Sequence, residues 1–143
     1  GIGLHGISAT HANLQPVSSF KTYISSIRNV PEGQSIGYGR KSYTTRSSRI
    51  AVIPVGYADG LNRHLSNRVG NVFIKGKRVP IIGNICMDTC MIDVTDTNAT
   101  IGDEVEIFGK HILVTELSEQ LGTIPYEILT GISHRVKRVY YKE

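Results

Sequence analysis

Three tyrosines of this chain stand at backbone corners: Tyr38 in SIGYGRKS, between two glycines; Tyr57 in VGYADG, after one; and Tyr126 in IPYEIL, after a proline. A phenol donates and accepts hydrogen bonds, and as a phenolate it takes a proton. Glycine beside it lets the backbone turn sharply and lets a ligand come close. Arg63 adds a cation beyond the Tyr57 corner, in GYADGLNR. Together they read as one wall of an active site. The competing reading, for any single tyrosine, is a ring packed in the core with its hydroxyl at the rim, and this is the reading for Tyr23, Tyr43, Tyr140 and Tyr141.

Other chemistry is poorly represented. The sequence has no P-loop, no GxSxG and no HExxH. A G-x-G-x-x-G pattern does occur at Gly1, Gly3 and Gly6, but no helix of a βαβ unit follows it. The histidines at 5, 11, 64, 111 and 134 have no zinc-like spacing. Cys86 and Cys90 lie in NICMDTCMIDV. If that stretch is extended, four residues separate the two by roughly 13 Å at ~3.3 Å each, too far for a disulfide. Two free thiols suit a reducing compartment. Asp59 is assigned to hydrogen bonding within its own turn.

These residues must be positioned by a small β domain. The 143 residues suffice for one domain with a core. Fifteen glycines and recurring β-branched residues favour strands. Expected strands are Val17–Val30, Ser35–Tyr38, Arg49–Val55, Asn71–Ile74, Arg78–Ile82, Met87–Val94, Glu104–Phe108, His111–Leu113 and a closing Arg135–Tyr141. Tight hairpins are expected at Lys75–Lys77 and, as a type II′ turn, at Gly109–Lys110. Two short helices follow late in the chain: TELSEQLG, capped by Thr115 and stopped at Gly122, and PYEILTGI, opened by Pro125. The fold class is therefore mainly β, a small barrel or sandwich of short antiparallel strands with two short helices near the C-terminus.

A net charge of +4 is mildly basic, but lysines and arginines are scattered, which argues against a nucleic-acid surface. The cluster from His134 to Arg138 reads as a solvated edge strand. No apolar run is long enough for a membrane helix. The opening GIGLHGISAT lacks the charged and apolar regions of a signal peptide, and the chain reads as a piece of something longer. The expected location is the cytoplasm.

The segments IGYGRKSYTTRSSRIAVIPVGYADGLNR, PIIGNICMDTCMIDVT and IPYEILTGISHRVKRVYY, in this order and spacing, strongly resemble the C-terminal domain of bacterial alanine racemase. GIGLHG resembles the segment that ends that family's cofactor barrel, with His5 at a usual tyrosine. The resemblance divides the chain into residues 1–15, a remnant of that barrel, and residues 16–143, the C-terminal β domain. It implies racemisation of an amino acid with pyridoxal phosphate as electron sink. Inversion needs proton transfers on opposite faces of the α-carbon. The resemblance gives one to a barrel lysine and the other, serving the L-enantiomer, to Tyr38. A free phenol titrates near 10. Lowering such a group by three units requires about 4 kcal/mol of preferential phenolate stabilisation, at ~1.36 kcal/mol per unit.

The same resemblance assigns the Met87 backbone amide to the substrate carboxylate and Tyr57 to the substrate end of the pocket. It assigns Tyr126 to the cofactor phosphate, Arg63 and Ile124 to the corridor leading in, and Asp88 to a structural acceptor role. Asn84 departs from the pattern of some family members, in which an arginine is common there. No lysine stands in the family's K-A-x-A-Y-G-H-G context. The cofactor is therefore expected on the absent barrel of a second subunit, in a full-length homodimer, and this piece alone is expected to be inactive. Alanine is the default substrate, feeding D-alanine to peptidoglycan. A serine or broader-specificity racemase shares the pattern, and a non-catalytic β-barrel that binds nucleic acid or holds a dimer together is the rival class.

Overall fold

The computed structural model describes residues 2–7, 16–40 and 42–141. Most of residues 1–15, the expected barrel remnant, lie outside these; of it, Ile2–His5 form a 3₁₀ turn.

Period-two alternation builds the sheet. In Cys90–Asp93 (β8), Cys90 and Ile92 face the core, while Ser48–Ile53 (β5) is buried on both faces, with Ala51 and Ile53 in the main core and Ile50 in a small cluster with Ile36 and Ile82. Asn71–Ile74 (β6) and Lys77–Ile82 (β7) form the expected tight hairpin, with Ile74 opposite Lys77. The joining residues Lys75 and Gly76 both have positive φ, as a type I′ turn requires. With Phe20–Tyr23 (β1), Ser26–Val30 (β2) and Glu104–Phe108 (β9), these form a seven-stranded antiparallel sheet in the order β1-β9-β6-β7-β8-β5-β2. The sheet curls into a half-barrel around a core that includes Ile24, Ile53, Val72, Ile92, Val94 and Val105. Each such fully buried side chain contributes roughly 1.5–3 kcal/mol. A small ribbon, Ser35–Ile36 (β3) and Ser42–Tyr43 (β4), stands apart from the sheet. The helices are Val114–Leu121 (α1) and Pro125–Gly131 (α2).

Several expectations are corrected. Val17–Val30 is two strands: at Ile24 and Ser25 the chain changes partners, because the Ile24 amide donates to Asp103 and the Ser25 amide to Val52. This change of edge carries β1 and β2 to opposite sides of the curled sheet. The strand expected from Met87 begins only at Cys90; residues 83–89 form a loop in which the Cys86 amide donates to the Thr89 carbonyl. The extended spacing reasoned for Cys86 and Cys90 therefore does not apply, although both thiols are free. Gly109–Leu113 is no hairpin and no strand. The Glu106 carboxylate reaches forward to accept from the His111 and Ile112 amides and folds this segment into a turn. It leads into α1, whose N-cap is Leu113 rather than Thr115. Residues 135–141 form no strand, because Arg135 is tied to acceptors elsewhere. Ser35–Tyr38 is extended only over Ser35–Ile36. Gly122 does close α1 in the left-handed conformation, and Pro125 does open α2.

Candidate active site

Two loops meet at a point where only glycine fits. After β5 the chain runs through Gly56 into a 3₁₀ turn, Tyr57–Asp59. Its Tyr57 amide donates to the Cys86 carbonyl and its Ala58 amide to the Met87 carbonyl, each at 3.0 Å. A Cβ on Gly56 would lie 2.3 Å from both of these carbonyl oxygens. The close crossing sets Tyr57 beside Met87. Among the described residues, the Met87 amide N–H meets no acceptor, and Met87 is 53% exposed. A backbone N–H open to solvent can bind a carboxylate whatever side chain it carries.

Tyr38 forms the third wall. Gly37, at φ +74°, swings the chain out of the small ribbon into a 3₁₀ turn, Tyr38–Arg40. A Cβ there would come within 3.1 Å of Met91 and 3.3 Å of the Asn84 amide nitrogen. Tyr38 is 77% exposed and Tyr57 49%, so neither packs its ring in the core. Tyr38, Tyr57, Arg63 and Met87 line one open depression, together with Asn84 and Asp88. Tyr126 and Ile124 do not line it. They stand at the start of α2, both exposed, with the Tyr126 ring edge-on to His5 at 6.2 Å between centroids.

The loops behind the depression are held by a residue that sequence reasoning placed in an edge strand. Arg135 donates to the buried Asp59 carboxylate at 2.7 Å and, with its other arm, to Asp88. Asp59 also accepts from the Gly56 amide at 2.8 Å, and its own carbonyl accepts from Ser133. The turn role expected of Asp59 is therefore present, but its arginine partner lies far along the chain. Burial pushes the Asp59 carboxyl up, yet the hydrogen bonds from Arg135 and the Gly56 amide outweigh it and hold the group below its ordinary value. The paired carboxylates in turn raise Arg135 further.

This pairing sets a pH dependence. Just below the unfolded-state value near 3.9, the unfolded chain binds a proton that folded Asp59 does not. Its contribution is therefore complete above that range and is lost as pH falls through the folded value. Asp59→Asn is expected to cost about 1–3 kcal/mol at neutral pH and to flatten part of the acid limb, leaving the share of the other depressed carboxylates. Urea midpoints between pH 7 and pH 2 measure both; an unchanged acid limb would show that the pairing carries no stability.

Burial pushes the Cys90 thiol up to about 12, which keeps it protonated near neutrality. Among the described residues no group of His, Cys, Asp and Glu could hold a metal, and no helix is long and apolar enough to cross a membrane.

Similar proteins share this arrangement of elements. The sequence profile described as "Alanine racemase, C-terminal domain" matches residues 17–140. Alanine racemase 2 of Caldanaerobacter subterraneus subsp. tengcongensis is 51% identical over 133 residues, which are 90% of this chain and 34% of that protein. The alanine racemase of Methanococcus maripaludis is 48% identical over 133 residues, 90% of this chain and 35% of that protein. The crystal structure of alanine racemase from Bartonella henselae, with covalently bound pyridoxal phosphate, superposes with a TM-score of 0.93 at 38% identity, over 99% of this chain and 40% of that one. The chain thus spans about a third of the length of these curated relatives.

Proposed function

The chain belongs to the alanine racemase C-terminal domain family, and on that footing we propose that it is the part of an alanine racemase that covers the cofactor barrel of a second subunit and supplies Tyr38 as an acid–base group. In this reading residues 1–15 are the end of the chain's own barrel and residues 16–143 the covering domain. The full-length protein is a homodimer, and its product D-alanine feeds peptidoglycan synthesis in the cytoplasm.

The observation that carries the reading is the pairing, on one concave face, of an exposed tyrosine with a backbone amide that meets no described acceptor. Tyr38 opens onto the same depression as Met87, whose N–H meets no described acceptor. An amino-acid substrate needs both: a donor for its carboxylate and a group that moves the α-hydrogen. Among the described residues no lysine lines the depression.

Pyridoxal phosphate, when bound, supplies the electron sink that makes the α-hydrogen removable. The chain's own residues do the rest. The Met87 amide anchors the carboxylate and fixes the orientation of the α-carbon. The Tyr38 oxygen takes the hydrogen from one face of L-alanine and returns it in the reverse direction. Tyr57, pinned beside Met87 by the Gly56 crossing, closes the substrate end and restricts side-chain size. The Tyr126 phenol is available to a phosphate oxygen, and Arg63 and Ile124 flank the corridor. Arg135, through Asp59 and Asp88, keeps the two loops in register.

Purified as the 143-residue chain, the protein is expected to convert no L-alanine and to give no stoichiometric borohydride-trappable adduct with added pyridoxal phosphate. The full-length enzyme is expected to convert L-alanine and to give the adduct. A specific lysine adduct on the isolated chain would contradict the division of labour.

A further inference from the structure

We infer that Asn84 and Asn67 are positioning residues that hold the Tyr38 turn in its working place, an inference that rests on the reading of Tyr38 above.

The Tyr38–Arg40 turn leaves the small ribbon at Gly37, and the ribbon resumes at Ser42. Its two ends are stapled by a directional chain of hydrogen bonds through two other loops. The Ser42 hydroxyl donates to Asn67 Oδ1 at 2.7 Å, Asn67 Nδ2 donates to Asn84 Oδ1 at 3.0 Å, and Asn84 Nδ2 donates to the Tyr38 carbonyl at 2.8 Å. Each amide gives through its nitrogen and receives through its oxygen, so neither can be replaced by a group that only accepts.

The backbone around these amides is fixed independently. Asn67 and Arg68 both have positive φ, a conformation asparagine tolerates better than most residues. Their amides donate to Gly83 at 3.0 Å and to Ile81 at 2.7 Å. Gly83 packs so closely under the ribbon that a Cβ on it would lie 3.0 Å from the Ile36 carbonyl oxygen. Asn84 therefore stands on a fixed corner three positions before Met87 and reaches across to Tyr38. One side chain links the loop that carries the anchoring amide to the turn that carries the phenol. In this chain the link is made by a neutral amide.

A positioning role predicts a change in the proton transfer that Tyr38 performs and not merely a smaller active fraction. In the full-length racemase, Asn84→Asp keeps the side-chain shape and removes the donor to Tyr38. It is expected to lower kcat by about 10- to 100-fold, the scale of a small misplacement at a reacting centre, with KM changing less. With α-deuterated substrates the isotope effect in the L-to-D direction is expected to rise and that in the D-to-L direction to fall, because the Tyr38 step becomes more limiting in both. Asn67→Asp removes the preceding link and is expected to shift both effects the same way by less. A loss of folded enzyme would leave both isotope effects where they are. If Tyr38→Phe abolishes racemisation while Asn84→Asp and Asn67→Asp leave both isotope effects unmoved, the inference is wrong and the reading of Tyr38 stands. If Tyr38→Phe is fully active, both fall together.

Discussion

Tyr38→Phe in the full-length racemase is expected to reduce turnover by about 10²- to 10⁴-fold, the range that a single acid–base group contributes, while the dimer and its bound cofactor stay intact. Phenylalanine keeps the ring and removes only the hydroxyl. Tyr38 is 77% exposed and holds its turn through its main-chain carbonyl, so the domain is not expected to lose more than about 0.5 kcal/mol, as for other surface substitutions. The loss should therefore appear in kcat, at constant dimer content and constant cofactor absorbance. Turnover within a few-fold of the parent enzyme would mean that another group handles the α-hydrogen.

Gly56→Ala should produce the largest structural effect. The added methyl would sit 2.3 Å from the Cys86 and Met87 carbonyl oxygens, which are backbone atoms and cannot swing aside. Overpacking of this kind costs about 1–3 kcal/mol or more, and here relief requires the two loops to part, breaking the Tyr57 and Ala58 hydrogen bonds. Gly76→Ala is the control. Gly56 is extended at φ −142°, so its cost is steric alone; Gly76 sits at φ +77° with nothing within 4 Å of its Cβ, so its cost is backbone strain alone, about 1–2 kcal/mol. Urea denaturation should rank Gly56→Ala as the less stable, because it adds the loss of the Tyr57 and Ala58 hydrogen bonds, about 0.5–1.5 kcal/mol each, to the overpacking, and it should also be impaired in substrate binding. Equal stabilities would show that the crossing of the two loops is looser than the packing implies.

Much of the framework was legible because it is local. The β6–β7 hairpin follows from Lys75 and Gly76 between two alternating runs, and the ends of the helices follow from Gly122 and Pro125. The core strand β5 follows from its run of apolar, mostly β-branched residues. The errors lie where a distant group overrides the local pattern. Ile24 and Ser25 look like the middle of one strand, but their amides are claimed by Asp103 and Val52 on two different edges. His111–Leu113 has strand-like residues, yet the Glu106 carboxylate draws its amides into a turn. The alternating charges from Arg135 onward suggest an edge strand, and only the folded chain shows Arg135 between Asp59 and Asp88.

The candidate site divides in the same way. Tyr38 and Tyr57 announce themselves through their glycines, and the depression gathers them with Arg63 and Met87. Resemblance, not any local pattern, singled out Met87 and Ile124, and it alone gave Tyr126 a role. The asparagine pair was not legible, because two neutral amides seventeen residues apart carry no spacing signal and meet only after the β7 hairpin has folded. The departure from arginine at Asn84 was visible in the sequence, but its consequence for Tyr38 was not.

The claim that this domain works on the barrel of a second subunit is tested most directly by hybrid dimers. Two inactive full-length variants are prepared, one with Tyr38→Phe and one lacking the barrel lysine that carries the cofactor, and they are mixed under conditions that exchange subunits. If each site pairs one subunit's barrel with the other subunit's Tyr38, random exchange in a two-fold dimer restores about a quarter of the sites, and activity returns to that level from near zero. Mixtures that exchange subunits and stay inactive would contradict it, because Tyr38 would then serve the barrel of its own chain.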